Sequence, residues 1–315
     1  MAAPAGPGSP RSSFLLIMGI LAVIVLPAAL TLRTVRVAPT VDLAMPGLTP
    51  YGYTISLLLF IVPIATIAFW FVPKEGVTIS KGSFAGTIAV LFPLGASLDF
   101  FFARSFLQFP NANATLRIAA PAFKGTVPVE EYVFYFTGFV AVLLFYIWLD
   151  EYWLAAYSVP ANARERTDFA RLLQFHPQSL FWAVVLIGAA ILYKFYVAKE
   201  AGFPGYFTFL VIGALGPSMV LFPTALPVIN WRAFSMTLFI ILLISLLWEA
   251  TLALPYGWWG YQSGEMVGIH VTAWSGLPIE AVVVWFAVTY ATAIVYEVVR
   301  CWQSSGKGAI QAFFG

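Results

Sequence analysis

Long runs of apolar residues separated by short polar segments make up most of the chain. A helix that crosses a bilayer needs about 20 mostly apolar residues, and eight segments reach roughly that length: 14–32, 54–72, 83–103, 129–149, 178–197, 205–225, 233–253 and 279–299. A cleaved signal peptide is the alternative for the first, but its apolar core exceeds the usual h-region of about 7–15 residues. The pattern predicts an all-α polytopic membrane protein with about eight transmembrane helices.

Acidic residues recur at one spacing in two parts of the chain. Asp99 precedes Glu130 by 31 residues, Glu249 precedes Glu280 by 31 residues, and the two pairs are offset by 150. An internal duplication would produce this spacing. Because four spans separate equivalent helices, the two repeats would be parallel. Chance alignment of apolar sequence is the alternative explanation.

The duplication predicts two halves joined by a polar connector. The predicted parts are an N-terminal tail at 1–13, a first half at 14–155, a connector at 156–177, a second half at 178–303 and a C-terminal tail at 304–315. It also predicts that the four acids lie at the same end of the helices, because even-numbered spans begin where odd-numbered spans end.

Composition narrows the class of protein. Hydrophobic residues make up 61% of the chain and charged residues 10%, against about 25% charged in soluble domains. No basic stripe suggests nucleic-acid binding. The single cysteine and the two histidines, which are distant in sequence, lead us to expect no metal site. The chain has no nucleotide-binding glycine motif, so we expect no cofactor. Nine basic residues on one side against seven on the other predict cytoplasmic termini, in a bacterial cytoplasmic membrane.

A Pro-x-Glu motif begins two of the apolar runs, at Pro128 and Glu130 and again at Pro278 and Glu280. Proline and glutamate also suit an ordinary first helical turn, so helix capping is the alternative. Ionisable groups within spans are costly and mark functional sites. Clustered carboxyls in a low dielectric raise one another's pKa and the helix dipole opposes this, so the sequence leaves the net shift open.

Aromatic residues accompany both motifs. Tyr132, Phe134 and Tyr135 follow the first, and Trp258, Trp259 and Trp285 lie around the second. Packing against lipid or at the interface explains many such rings. The functional alternative is a pocket whose ring faces stabilise a cation, which would suit a carbocation formed when an acid protonates an alkene.

These segments resemble a known family. The stretch "VPVEEYVFYFTGFVAVLLFYIW", with "LDFFFARSF" upstream, and the stretch "WEATLALPYGWWGYQSGEMVGIHVTAWSGLPIEAVVVWF" resemble the two units of the membrane-embedded lycopene cyclases, here fused in one chain. The resemblance implies a redox-neutral isomerase, without cofactor, that folds lycopene ends into β-ionone rings through a carbocation. It implies Glu130, Glu131 and Glu280 as acid/base residues, positioned by Pro128 and Pro278.

Other expectations follow from the spacing and the substrate. Asp99 and Glu249 are supporting acid candidates through the repeat, not through the family motif. The expected partners are a hydrophobic polyene from the lipid phase, membrane lipids and other carotenoid-pathway enzymes. Ala281 stands where an acid often follows in the family. A cyclase of another prenyl chain, a proton-coupled transporter and a structural subunit are the alternatives.

Overall fold

The computed structural model describes residues 50–71, 79–123, 125–159 and 171–315, together with positions 18, 22, 25 and 26. The predicted span 14–32 therefore lies outside the described residues except at those four positions. The described helices are α1 Gly52–Thr66, α2 Lys81–Phe106, α3 Val129–Trp148, α4 Pro177–Leu192, α5 Gly205–Val220, α6 Phe222–Ala225, α7 Trp231–Trp248, α8 Glu280–Ser304 and α9 Ala309–Phe314.

Four helices continue into a π-helical turn, and these turns cover Ile67–Phe71, Leu149–Trp153, Tyr193–Ala198 and Glu249–Ala253. Six of the described helices are long and apolar enough to cross a membrane, and they are Gly52–Trp70, Lys81–Phe106, Val129–Trp153, Pro177–Ala198, Trp231–Ala253 and Glu280–Ser304. The protein is an all-α polytopic membrane protein, as the sequence predicts.

The span predicted at 205–225 differs from the structure. Helix α5 ends at Val220, and a separate short helix, α6, follows at Phe222–Ala225. Pro223 lies in the first turn of α6. A proline disfavours helical geometry in the residue before it and begins a helix well. The chain therefore breaks into two helices where one long span was expected.

Side-chain caps begin two of the long helices at equivalent positions. The Ser80 hydroxyl accepts the N–H of Ser83 before α2, and the Asn230 side chain accepts the N–H groups of Arg232 and Ala233 before α7. Such caps satisfy backbone donors that a helix start leaves open. The two capping residues are 150 apart, the offset of the acidic pairs. The duplication itself stays a prediction.

Short antiparallel strands, which were not predicted from the sequence, lie in the connections from α2 to α3 and from α7 to α8. Strand β2 (Ala119–Ala122) pairs with β3 (Gly125–Pro128), and β5 (His270–Val271) pairs with β6 (Leu277–Pro278). Strand β1 (Leu107–Gln108) pairs with β4 (Gly260–Tyr261). The β1–β4 pair joins the connection after α2 to the connection after α7. These pairs hold the segments that precede α3 and α8.

Helix α8 lies at the centre of the bundle and packs against α2, α3, α5 and α7. In the apolar stretch of α8, 56% of the residues are buried inside the protein, against 17% in the apolar stretch of α4, which packs mainly on α5. At the end of the bundle remote from the strands, Arg300 forms ion pairs with Asp150 at 3.2 Å and with Glu151 at 2.8 Å. This cluster ties α8 to the end of α3.

The segment predicted as a C-terminal tail at 304–315 is partly helical and packed. Helix α9 buries Ala312 against the core. The backbone oxygens of Ala312 and Phe313 accept the N–H groups of Leu172 and Leu173, so the described end of the predicted connector 156–177 is bound to the C-terminal segment. Residues 160–170 of that connector lie outside the described residues.

Candidate active site

Each of the two predicted Pro-x-Glu motifs joins a strand to a helix. Pro128 closes β3 opposite Ala119 and precedes α3, and Pro278 lies in β6 opposite His270, two residues before the first residue of α8. The fixed backbone of proline suits this change from strand to helix. The two motifs therefore place Glu130 and Glu280, here called the outer glutamates, in the first turns of their helices.

Glu130 is buried and held by neutral donors. Its Oε1 accepts the backbone N–H of Leu116 at 2.7 Å and the hydroxyl of Thr54 at 2.6 Å. Its Oε2 is buried without a hydrogen-bond partner in the described structure. The carboxyl group thus holds the segment before β2 against the start of α3 and also contacts α1.

Glu280 has a similar main-chain contact but a different neighbour. Its Oε1 accepts the N–H of Val267 at 2.6 Å. The fully buried Lys194 donates from Nζ to the oxygens of Gly264, at 2.8 Å, and of Met266. The Met266 oxygen and the Val267 N–H belong to one peptide group, so this peptide lies between an ammonium and a carboxyl. The oxygen of this peptide faces the ammonium and its N–H faces the carboxyl, so the peptide dipole is favourably oriented toward both groups.

Glu131 is buried in the first turn of α3 and faces a cavity. The hydroxyl of Tyr53 donates to its Oε1 at 2.7 Å. Its Oε2 has no hydrogen-bond partner among the described residues. Asp99, Glu130 and Glu249 all interact electrostatically with Glu131. No lysine or arginine of the described structure forms a salt bridge with it.

Glu249 lies in the π-helical turn that ends α7 and borders the same cavity. Its Oε1 accepts the indole N–H of Trp285 at 3.1 Å, and its Oε2 accepts the hydroxyl of Tyr261 at 2.7 Å. Burial, together with the Glu249 carboxyl, raises the pKa of the Tyr261 phenol well above its usual range, so the phenol keeps its proton. Both oxygens of Glu249 therefore have a donor.

The cavity between Glu131 and Glu249, here called the acid cavity, has a volume of about 50 Å³. Aromatic rings form much of its wall, namely Tyr53, Phe134, Tyr135, Phe139, Tyr206, Trp259, Tyr261 and Trp285. Four of the six aromatic candidates from the sequence, Phe134, Tyr135, Trp259 and Trp285, are among them. Ring faces at such a site attract cations most strongly when water is excluded.

Two aromatic candidates lie elsewhere. Tyr132 is partly exposed and donates its hydroxyl to the Pro121 oxygen at 3.0 Å. Trp258 is buried and stacks on Tyr53 with ring centroids 5.9 Å apart. Trp258 therefore supports a wall of the acid cavity from behind without lining it.

The carboxyl candidates divide into two sets. Glu131 and Glu249, here called the cavity glutamates, line the acid cavity, whereas Glu130, Glu280 and Asp99 do not. Asp99 is buried in α2, and neither of its side-chain oxygens has a hydrogen-bond partner in the described residues. It interacts electrostatically with Glu131. Glu265 lies against the start of α5, where a Cβ on Gly205 would overlap its carboxyl.

Several residues of the site were missed from the sequence. Tyr206, at the start of α5, lines the acid cavity and interacts electrostatically with Glu249, Glu280 and Glu131. Tyr53 and Tyr261 resemble the interfacial tyrosines that many spans carry. The signal for Lys194 was its position within an apolar run, since a charge there is costly unless paired.

A second cavity, here called the apolar cavity, adjoins the first. Its volume is about 300 Å³ and it lies between α1, α3 and α7. Phe134, Gly138 and Trp285 line both cavities. In the part of the chain that the structure describes, no group of three or more His, Cys, Asp or Glu residues is arranged to hold a metal ion.

Comparison of the chain with protein-family models, with curated proteins and with solved structures found no match.

Proposed function

We propose that this protein is an integral-membrane carotenoid cyclase that converts the open ends of a lycopene-like polyene into β-ionone-type rings. The observation that carries the proposal is the meeting of Glu131 and Glu249 at one aromatic-lined cavity. Carboxyl groups can donate and accept protons, and the rings around them can stabilise a cation. A cyclisation that only moves protons requires no redox cofactor.

Glu131 is the proposed proton donor. It has one donor, Tyr53, on one oxygen, which leaves the other oxygen to carry a proton toward the cavity. That proton adds to the terminal double bond of the polyene and creates a tertiary carbocation. The neighbouring double bond attacks this cation, which forms the ring bond and moves the positive charge onto a ring carbon.

Glu249 is the proposed proton acceptor. The indole of Trp285 can only donate a hydrogen bond, and the protonated phenol of Tyr261 donates to the other oxygen. Because both of its oxygens already accept hydrogen bonds, neither is free to carry a proton into the cavity. The carboxylate stabilises the ring cation and removes a proton from a neighbouring carbon, which restores a double bond. The carbon that loses the proton determines the type of ring.

Glu130, Glu280, Pro128 and Pro278 are proposed as positioning residues. The outer glutamates bind main-chain N–H groups and do not line the acid cavity. Glu130 holds the first turn of α3, which also carries Glu131. This assignment modifies the role that the family resemblance implies for Glu130 and Glu280.

We further propose that both termini are on the cytoplasmic side of a bacterial membrane. Because Lys194 is buried and bonded, it does not count as a loop charge, and the predicted excess of basic residues becomes nine against six. The polyene would arrive from the lipid phase, and other carotenoid-pathway enzymes would supply it.

Expression in a lycopene-producing bacterial strain, followed by chromatography of the pigments, tests the proposal. Cyclised products are expected with the wild-type chain and none with Glu131→Gln at equal membrane abundance. Unchanged lycopene with abundant wild-type protein would refute the proposed substrate. Cyclisation of a shorter prenyl chain instead would identify a different prenyl cyclase, and proton-coupled uptake in liposomes would favour a transporter.

A further inference from the structure

The apolar cavity has the shape and chemistry of a site for an elongated hydrocarbon. On α1 its lining runs from Leu57 to Ile67, which corresponds to about 15 Å along a helix axis. Apart from Thr137 and Ser245, its lining side chains are hydrocarbon or aromatic, or are glycine. Its volume of about 300 Å³ is at the lower end for ligand pockets, which span about 300–1,000 Å³.

The boundary between the two cavities contains one residue without a side chain. Phe134 and Trp285 form the ring walls there, with centroids 5.6 Å apart. Gly138 lies beside them on α3, and a Cβ built on it would be 3.9 Å from the Trp285 ring. A methyl group would therefore fit in ordinary contact, whereas a larger side chain would occupy the space between the cavities.

The apolar cavity also has exposed residues on its membrane side. Leu59 on α1 is 69% exposed and Ile244 on α7 is 37% exposed, and both line the cavity. Helices α1 and α7 each pack on α3, and among the described helices they have little contact with each other. An apolar molecule can therefore reach the cavity sideways from the bilayer.

We propose that the apolar cavity binds the extended part of a linear polyene, and that its end enters the acid cavity past Gly138. This inference rests on the proposed function and adds to it a binding subsite and a specificity-determining residue. The acid cavity, at about 50 Å³, holds at most the reacting end, so the adjoining site supplies most of the contact with the substrate. Only the end that passes Gly138 meets Glu131.

Substitutions at Gly138 test the passage. Gly138→Ala is expected to lose less conversion than a larger substitution does, because its methyl group meets the Trp285 ring in ordinary contact. Gly138→Leu is expected to reduce conversion at least tenfold. Gly188→Leu is the matched control, since no atom lies within 4 Å of a Cβ built on Gly188 of α4. If Gly138→Leu does not accumulate, Ala141→Phe fills the apolar cavity from a position outside the acid cavity.

Binding is measured separately from turnover. The Glu131→Gln protein, with and without each glycine substitution, is purified in detergent with lycopene, and the pigment retained after gel filtration is determined by absorbance. We expect retention with Glu131→Gln alone and with added Gly188→Leu. With added Gly138→Leu or Ala141→Phe we expect at least a fivefold loss.

The outcomes separate this inference from the proposed function. Retention of lycopene that Gly138→Leu abolishes, without cyclisation by the wild type, would support the subsite and refute the cyclase. Cyclisation by the wild type, with Gly138→Leu as active as Gly188→Leu, would support the cyclase and overturn the subsite. Loss of bound phospholipid but not of lycopene in Gly138→Leu would assign the cavity to a lipid chain and also overturn it.

Discussion

The starts of α3 and α8 share a frame but differ in chemistry. Each follows a strand pair, and each has a buried glutamate that accepts one main-chain N–H, from Leu116 or from Val267. At the start of α3 the other donor is the Thr54 hydroxyl, and a second carboxyl, Glu131, follows. At the start of α8, His270 and Lys194 interact electrostatically with Glu280, and the next residue is Ala281.

From this difference we infer that one set of glutamates holds the helix starts in place and another set would carry out the proposed reaction. The outer glutamates are related by the offset of 150 and both bind the main chain. The cavity glutamates are not related by it, because Glu131 begins a helix and Glu249 ends one. Two similarly built helix starts therefore occur beside an unequal pair of cavity carboxyls, and the predictions below test each part of this division.

The largest expected effect is at Glu131. Gln keeps the size of the side chain and can still accept from Tyr53, but it has no acidic proton to give. Loss of a general acid costs about 10²–10⁴-fold in rate, so Glu131→Gln should show almost no cyclised pigment. Its matched control is Glu265→Gln, which changes a carboxyl outside the acid cavity. An equal loss of cyclised pigment in Glu265→Gln would contradict the special role of Glu131.

The next largest effect is expected at Glu249. Without a base, the ring cation loses its proton to other acceptors and from other carbons. Glu249→Gln should lower the rate by about 10²-fold, at the lower end of general-base effects, and should change the position of the ring double bond. Pigment chromatography and NMR of the product measure both. A slower reaction with an unchanged ring type would contradict the acceptor role.

A third prediction concerns Lys194 and stability. Lys194→Met removes the donor of the buried Met266 oxygen and of the Gly264 oxygen, and an unsatisfied buried group costs about 1–3 kcal/mol. The melting temperature in detergent should fall clearly, whereas the exposed Lys199→Met should leave it unchanged. An unchanged melting temperature for Lys194→Met would show that the structure around the start of α8 does not depend on Lys194.

The smallest effect is expected at Thr54. Thr54→Val removes a hydroxyl that donates to Glu130, but the Leu116 N–H still binds the same oxygen. One hydrogen bond contributes about 0.5–1.5 kcal/mol, so a small drop in melting temperature with nearly full activity is expected. Thr251→Val is the control, because its hydroxyl bonds only within its own helix. A loss of activity in Thr54→Val as large as in Glu131→Gln would place Glu130 in the reaction.

The helices were predictable from the sequence because the thickness of a bilayer sets their length. The predicted span 233–253 and the observed Trp231–Ala253 differ by two residues at one end. The break before Pro223 was missed because a long apolar run outweighed a single proline in the prediction. The strand pairs were missed because two to four residues show too little alternation to indicate a strand.

The site was less predictable, because its residues come from helices that are distant in sequence. The repeated spacing of 31 residues indicated Glu249, which the family motif does not include. The motif itself indicated Glu131. No pattern separated Tyr53 or Tyr206 from ordinary interfacial tyrosines. Lys194 lies at the end of a predicted span, close to Lys199. The comparison of basic residues on the two sides of the membrane therefore treated it as part of a loop. Its partners are main-chain oxygens of residues 264 and 266, which sequence does not pair with it.

The ion pair between Asp150 and Arg300 has a consequence for assembly. These residues are 150 apart, as are Tyr146 and Tyr296, whose rings meet edge to face at 6.1 Å, so under the predicted duplication each pair would occupy equivalent positions in the two halves. Two copies of the first half would bring aspartate against aspartate, and two copies of the second would bring arginine against arginine. If the chain were cut in the connector, we therefore expect unlike halves to associate and like halves to repel.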